Sequence, residues 1–281
     1  MATLVLQGPA LTRTDAEALC NVFNGTLETG SGYFHIQVDG DVSPEQLVQQ
    51  RAQYNFDINL LPDGFEPSAI KLLVTDMDST LISIECIDEI ADFINVKPQV
   101  SKITEAAMRG EIDFETSLCR RIALLKGLEE TALESVYNER LTLNPGAEQM
   151  IAGIKSKGIQ IALVSGGFTY FTDKLKARLG LDYTLANTLE FENGKLTGEI
   201  HGAIMGAEAK AHFLLQKCDA LGIKPSQALA MGDGANDLVM MKEAGISVAY
   251  HAKPKVQEQA HSSLNHSGLE GVLGLLNISP S

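Results

Sequence analysis

An α/β fold is expected: a Rossmann-like parallel sheet with a helical cap inserted after its first strand, preceded by a small α+β unit of ferredoxin-like order. Three observations predict it. The apolar runs "KLLVTD", "IQIALVS", "ALAMGD" and "ISVAY" are spaced with helical segments between them, as βαβ units in a parallel sheet require. The stretch from Ile84 to Asn144 is helical in pattern almost throughout, which is too much for one crossover. Residues 1–65 alternate compactly between strand and helix.

The N-terminal elements read as a strand at Thr3–Gln7, a helix at Thr14–Phe23 after "TRTD", and two strands across "GTLETGSGYFHIQV". A second helix follows near Ser43–Gln53, opened by "SPEQ" with Ser as N-cap and Pro at the first helical position, and then a strand at Asn55–Leu60. The order βαββαβ is the ferredoxin-like split unit. "LPDGFEPSAIK", Leu61–Lys71, holds two prolines and a glycine and reads as a linker. The division is therefore 1–65 for the small domain and 71–281 for the larger one, with the cap at about 84–144. Thr188–Ile200 contains "FENGKL", whose Asn-Gly pair between alternating residues signals a β-hairpin.

The chain has 281 residues and a formal net charge of −14. That charge argues against nucleic acid or an anionic membrane as partner, because both select a basic surface. No apolar run approaches a membrane span, and the N-terminus lacks a signal-peptide pattern. Four scattered cysteines without a CxxC pair read as reduced thiols. Cytoplasm is the expected compartment. The oligomeric state is not legible; a homodimer is the assembly allowed for.

The chemistry concentrates at strand ends. "LLVTDMDSTL" leads an apolar strand into Asp76 and Asp78. Carboxylates are costly behind a buried strand unless paired or metal-bound, and the carboxyl end of a strand in an open α/β sheet is where ligands bind. A single acid there often only caps a turn; two acids followed by Ser-Thr point to a site. "ALAMGDGANDLVMM" repeats the pattern with Asp233 and Asp237. Two acid-terminated strands suggest one metal centre, and oxygen-only ligands favour Mg²⁺. "IALVSGGF" presents Ser165 and Gly166 just before a helix, where a hydroxyl and backbone N–H groups make an anion site. Taken alone that is an ordinary turn, and Lys210 taken alone is a solvated surface charge.

Together, "DMDST … VSGG … K … GDGAND" resembles the haloacid-dehalogenase superfamily of phosphotransferases from about Lys71 onward. The DxDST form, "ECIDEIA" and "ITEAAMRGEIDFETSLCRRIALLKG" look like its phosphoserine phosphatase branch. The N-terminal residues are the least diagnostic and resemble at most the ACT-like modules that some members carry. The resemblance implies Mg²⁺-dependent hydrolysis of O-phospho-L-serine to L-serine and phosphate through an aspartyl-phosphate, as the last step of serine biosynthesis. It implies Asp76 as nucleophile and Asp78 as general acid and base. The metal would be held by Asp76, the Asp78 carbonyl and Asp233, with Asp237 supporting its water shell. Lys210, Ser165, Gly166 and Asn236 would hold phosphate. Glu85 would face the substrate ammonium, Arg121 would clamp its carboxylate, and Met108 with Phe114 would form the apolar side of the lid. Without the resemblance, Glu85 reads as a helix-start acid, Arg121 as a surface charge and Phe114 as core. Two other outcomes share the scaffold: phosphoryl transfer to an alcohol instead of water, and a ligand sensor built on an inactive phosphatase.

Overall fold

The computed structural model describes residues 2–279. The N-terminal portion is a four-stranded antiparallel sheet of β1 (Ala2–Gln7), β2 (Gly25–Thr29), β3 (Tyr33–Val38) and β4 (Asp57–Leu60), in the order β2-β3-β1-β4. Helices Arg13–Val22 and Pro44–Arg51 cross between strands. The first is opened by a reciprocal Thr12–Asp15 capping box, the second by Ser43 and Pro44, as the local residue types dictate. Leu4, Leu6, Leu19 and Ile36 form its buried core.

The larger portion is built on a seven-stranded sheet. Its strands are β5 (Leu72–Asp76), β6 (Gln160–Phe168), β7 (Tyr183–Glu192), β8 (Lys195–His201), β9 (Ala228–Gly232), β10 (Ile246–Tyr250) and β11 (Ser262–Leu264). The order is β11-β10-β9-β5-β6-β7-β8, parallel except for β8. Every residue of β5, β9 and β10 is buried, as strands covered on both faces require. β5 lies between β9 and β6, and Asp76 pairs with Val164, so Asp76 at the end of β5, Asp233 just after β9 and Ser165 within β6 are neighbours. The hairpin turn falls on Asn193 and Gly194, both at positive φ (50° and 76°), the conformation an Asn-Gly turn supplies.

Beyond the four apolar runs and the hairpin, the sheet has one more strand and a longer β7. β11 is three residues long, and the first half of β7, "YTLAN", runs parallel to β6. Neither forms an apolar run, because β7 is only partly covered and β11 is an edge strand.

The cap comprises helices Cys86–Phe93, Lys97–Met108, Phe114–Ala123 and Glu130–Ser135. Its two connecting chains run side by side: Ile82 bridges Leu143, Ser83 N–H donates to Thr142 O, and Asn144 N–H donates to Leu81 O. The Asn144 amide also donates to Thr80 O and Ile82 O at 2.8 and 3.1 Å. This tie fixes where the cap leaves the sheet.

The two sheets meet through a polar clasp. Asp57, buried on β4, accepts the backbone N–H groups of Asn265, His266 and Ser267 at 2.8, 3.1 and 2.9 Å. Asn59 pairs with both backbone groups of Ser263, donating to its O and accepting from its N. Val5 and Leu61 from the N-terminal portion join the apolar core of the larger sheet. Among the described residues no helix is long and apolar enough to cross a membrane.

Candidate active site

Asp76 ends β5, and the chain then makes a wide turn over Met77–Leu81 in which Ser79 takes a left-handed backbone (φ 57°). A non-glycine residue pays about 1–2 kcal/mol for that conformation. The neighbouring contacts hold it: Ser79 N–H donates to Ile84 O, and its hydroxyl donates to Glu85 at 2.7 Å. The turn brings Asp78 back beside the strand end. Asp78 Oδ1 accepts Cys86 N–H at 2.8 Å, and Oδ2 accepts the Ser165 hydroxyl at 2.9 Å.

The second acid cluster closes on the first. Carboxylate oxygens of Asp76, Asp233 and Asp237 lie within 4.8 Å of one another. Lys210, only 1% exposed, places Nζ against Asp76 Oδ1 and 2.8 Å from Asp237 Oδ1. Asp237 Oδ2 accepts Gly234 N–H at 3.1 Å. A Cβ on Gly232 would stand 2.3 Å from Asp237 Oδ2, so the carboxylate reaches this position only over a glycine. Burial first, and then the charge of Asp237, pushes the Asp76 carboxyl well up, with Lys210 opposing. Burial opposes the Lys210 charge, but the two carboxylates outweigh it and hold the ammonium protonated. Counted formally, three carboxylates against one ammonium give an excess of two negative charges at a site where Asp76 and Asp237 are buried and Asp233 is half-buried. An all-oxygen donor set with that excess fits a divalent hard cation.

Above this floor lies a cleft of about 480 Å³ between the sheet and the cap, lined by Asp76, Asp78, Glu85, Phe114, Arg121, Gly166, Asp233 and Asn236 among others. Glu85 is pushed up to about 7, by burial first and by the charge of Asp78 next. Burial draws Arg121 downward, and the charges of Asp88 and Glu85 oppose it. The Arg121 Nε–H also donates to Ser117 O one helical turn earlier, at 3.4 Å. The Phe114 ring hangs over Gly166, where an added Cβ would meet its Cζ at 3.2 Å.

Most of the residues singled out from the sequence are thus brought to one place. Ser165, Lys210 and Asp237 are buried beneath the cleft rather than lining it. The Ser165 hydroxyl is already engaged, donating to Asp78 and accepting Gly167 N–H at 2.7 Å. The Met108 side chain lies outside the described residues, so its expected place in the lid has no counterpart here. Several contributors gave no sequence signal. Buried Asn187 donates to Gly166 O and accepts Met205 N–H, both at 2.8 Å, and so fixes the Gly166 peptide. Thr80 donates to Asp233 at 3.3 Å. Asp88 and Lys253 also line the cleft. The alternation of "YTLANTLE" on a half-covered strand was the one hint available for Asn187.

Comparison with known proteins agrees with this geometry. The model of haloacid dehalogenase-like hydrolases matches residues 70–245. A phosphoserine phosphatase of Polaromonas sp. is 52% identical over 224 residues, covering 78% of this chain and 95% of that protein. The crystal structure of a HAD family hydrolase from Salmonella enterica serovar Typhi superposes with a TM-score of 0.90 at 34% identity, covering 98% of this chain and 99% of that one. A structure of a phospho-aspartyl intermediate analogue of phosphoserine phosphatase gives a TM-score of 0.69 at 41% identity, over 73% of this chain and 98% of that one.

Proposed function

The chain belongs to the haloacid dehalogenase-like hydrolase family, and on that premise we propose how its residues release phosphate from phosphoserine. It is an enzyme, a phosphoserine phosphatase. The observation that supports the assignment of roles best is the meeting of Asp76, Asp78, Lys210, Asp233 and Asp237 at adjacent strand ends, beneath a cleft holding Glu85 and Arg121.

Asp76 attacks the phosphorus in line, forming an aspartyl-phosphate while the serine oxygen departs. Asp78 gives that oxygen its proton, then removes one from the water that hydrolyses the acyl phosphate. Its hydrogen bonds from Ser165 and Cys86 hold the carboxylate in place for both steps. Lys210 offsets charge on Asp76 as phosphate arrives. The Gly166 peptide, fixed by Asn187, and the Asn236 amide hold phosphoryl oxygens. Asp76, the Asp78 carbonyl and Asp233 would hold Mg²⁺, with Asp237 behind them. When bound, the ion supplies charge neutralisation between carboxylate and phosphate dianion.

Selection of serine falls to the cap. Glu85 faces the ammonium; its carboxyl, pushed up to about 7 by burial, is drawn back to the ionised form by an adjacent cation. Arg121 clamps the carboxylate with its planar fork, and Phe114 covers the cleft over Gly166. We place the enzyme in the cytoplasm, a setting that suits its four free cysteines.

Three results are expected. Chelation by EDTA should abolish turnover and Mg²⁺ should restore it, whereas Ca²⁺, with its looser coordination, should inhibit; full activity in chelator would remove the metal from the scheme. Arg121→Ala and Glu85→Ala should each lower kcat/KM for phosphoserine by roughly 30-fold or more, since losing a desolvated charge contact costs about 2–5 kcal/mol. Hydrolysis of p-nitrophenyl phosphate, which has neither an ammonium nor a carboxylate, should change only a few-fold. Equal losses on both substrates would assign these residues to cap closure instead. Finally, deleting residues 1–65 should preserve kcat while lowering Tm. The site residues all follow Lys71, but the clasp to Ser263–Ser267 is cut. Solved relatives such as the phospho-aspartyl analogue are matched over almost their whole length by 73% of this chain.

A further inference from the structure

The cap is held at a second place, away from its root. Just past the helix Phe114–Ala123, Gly127 N–H donates to Leu196 O and Leu196 N–H donates to Leu128 O, both at 2.8 Å. Glu130 N–H donates to Gly194 O at 3.2 Å, and Glu129 pairs with Lys195 along the same seam. Leu196 is only 2% exposed and belongs to the apolar core with Leu125 and Leu128. The β7–β8 hairpin is thus joined to the cap by backbone pairing as well as by packing.

Gly198 on β8 sets how closely the two approach. Its φ is 87°, and a Cβ there would stand 3.1 Å from Lys126 Cβ and 3.3 Å from Ala123 Cα. Ala123 closes the helix that carries Arg121. Among the described residues the Arg121 guanidinium bonds only within that helix, to Ser117 O, so its place over the cleft follows from where the helix rests. At its other end the hairpin reaches the phosphate seat. β7 starts beside β6 and supplies Asn187, which fixes the Gly166 peptide. One hairpin therefore connects the peptide that receives phosphate to the helix that bears the guanidinium. Phosphoserine has a short, fixed reach between its phosphate and its carboxylate, so the groups that meet them have to be spaced to within about 0.5 Å.

We propose, on the reading of Arg121 as the carboxylate clamp, that the β7–β8 hairpin sets the distance between that clamp and the Gly166 seat, with Gly198 as the positioning residue. An alanine at 198 presses on the Ala123 backbone rather than on the free end of a side chain, so the helix has to give by a few tenths of an ångström.

The test is steady-state kinetics of Gly198→Ala on phosphoserine and on p-nitrophenyl phosphate, beside Arg121→Ala and the double variant. KM for phosphoserine should rise about 10-fold with kcat within about 2-fold of wild type, the scale on which small misplacements of a remote binding group act. Hydrolysis of p-nitrophenyl phosphate, which never meets the clamp, should stay within about 2-fold. On the Arg121→Ala background, Gly198→Ala should cost phosphoserine almost nothing further, because two changes that act through one contact do not add. Should Gly198→Ala fail to fold, Leu196→Ala loosens the same seam and should show the same selective rise and the same loss of additivity. Equal losses on both substrates would make the hairpin a support of the fold only. An undiminished loss on the Arg121→Ala background would route its effect through another group. Either result overturns the proposal. The single Arg121→Ala variant reports on the clamp by itself: if it loses both substrates equally, the clamp reading falls and the hairpin's role falls with it.

Discussion

Replacing Asp76 by Asn is expected to lower kcat for phosphoserine by on the order of 10⁵-fold or more, the scale on which loss of a covalent nucleophile acts. Phosphoenzyme should also disappear from acid-quenched reactions with labelled substrate. The amide keeps the shape of the carboxylate and can still accept from Lys210, which retains Asp237 as its second partner at 2.8 Å. The fold should therefore survive, with far-UV circular dichroism unchanged. What is lost is the anionic oxygen that attacks phosphorus. Label trapped on the Asn variant would move the nucleophile to another residue.

Asp78→Asn should cost less, about 10²–10⁴-fold, the usual range for a general acid–base group. Its two oxygens both accept, from Cys86 N–H and from the Ser165 hydroxyl. An amide can accept at only one of them, so Ser165 or Cys86 loses its partner and the side chain can no longer shuttle a proton. The substrate dependence identifies the role. With phosphoserine both half-reactions should slow. With p-nitrophenyl phosphate, whose leaving group departs without protonation, formation of the phosphoenzyme should be nearly unaffected and its hydrolysis slow. An equal loss in formation for both substrates would make Asp78 a positioning group only.

The acids were legible because their setting was wrong for a core. A strand buried along its whole length cannot end in two carboxylates without a use for them, and the same reasoning found Asp233 and Asp237. The Asn193-Gly194 turn was legible because few residues take positive φ twice in succession. Lys210 was ambiguous in isolation. Its burial depends on two acids 134 and 27 residues away, a relation that local sequence does not encode. Asn187 was missed for a similar reason: it sits on a half-covered strand, and its importance comes from the peptide it fixes at Gly166. The early part of β7 was missed because partial cover permits a polar composition. Lys253 reaches the cleft from a loop, where a lysine carries no pattern at all.

The clasp between β4 and the loop after β11 bears on how the molecule comes apart. If the N-terminal sheet melted alone, the buried Asp57 carboxylate would leave three backbone N–H groups of the 265–267 loop unanswered, and Ser263 would lose both of its partners. Val5 and Leu61 would leave the shared core at the same time. Partial unfolding therefore damages the portion that remains, and the free energies of the two sheets are not separable. The chain should melt as one cooperative unit, with calorimetric and van't Hoff enthalpies in agreement, and amides on β1 and β4 should exchange with solvent as slowly as those on β11.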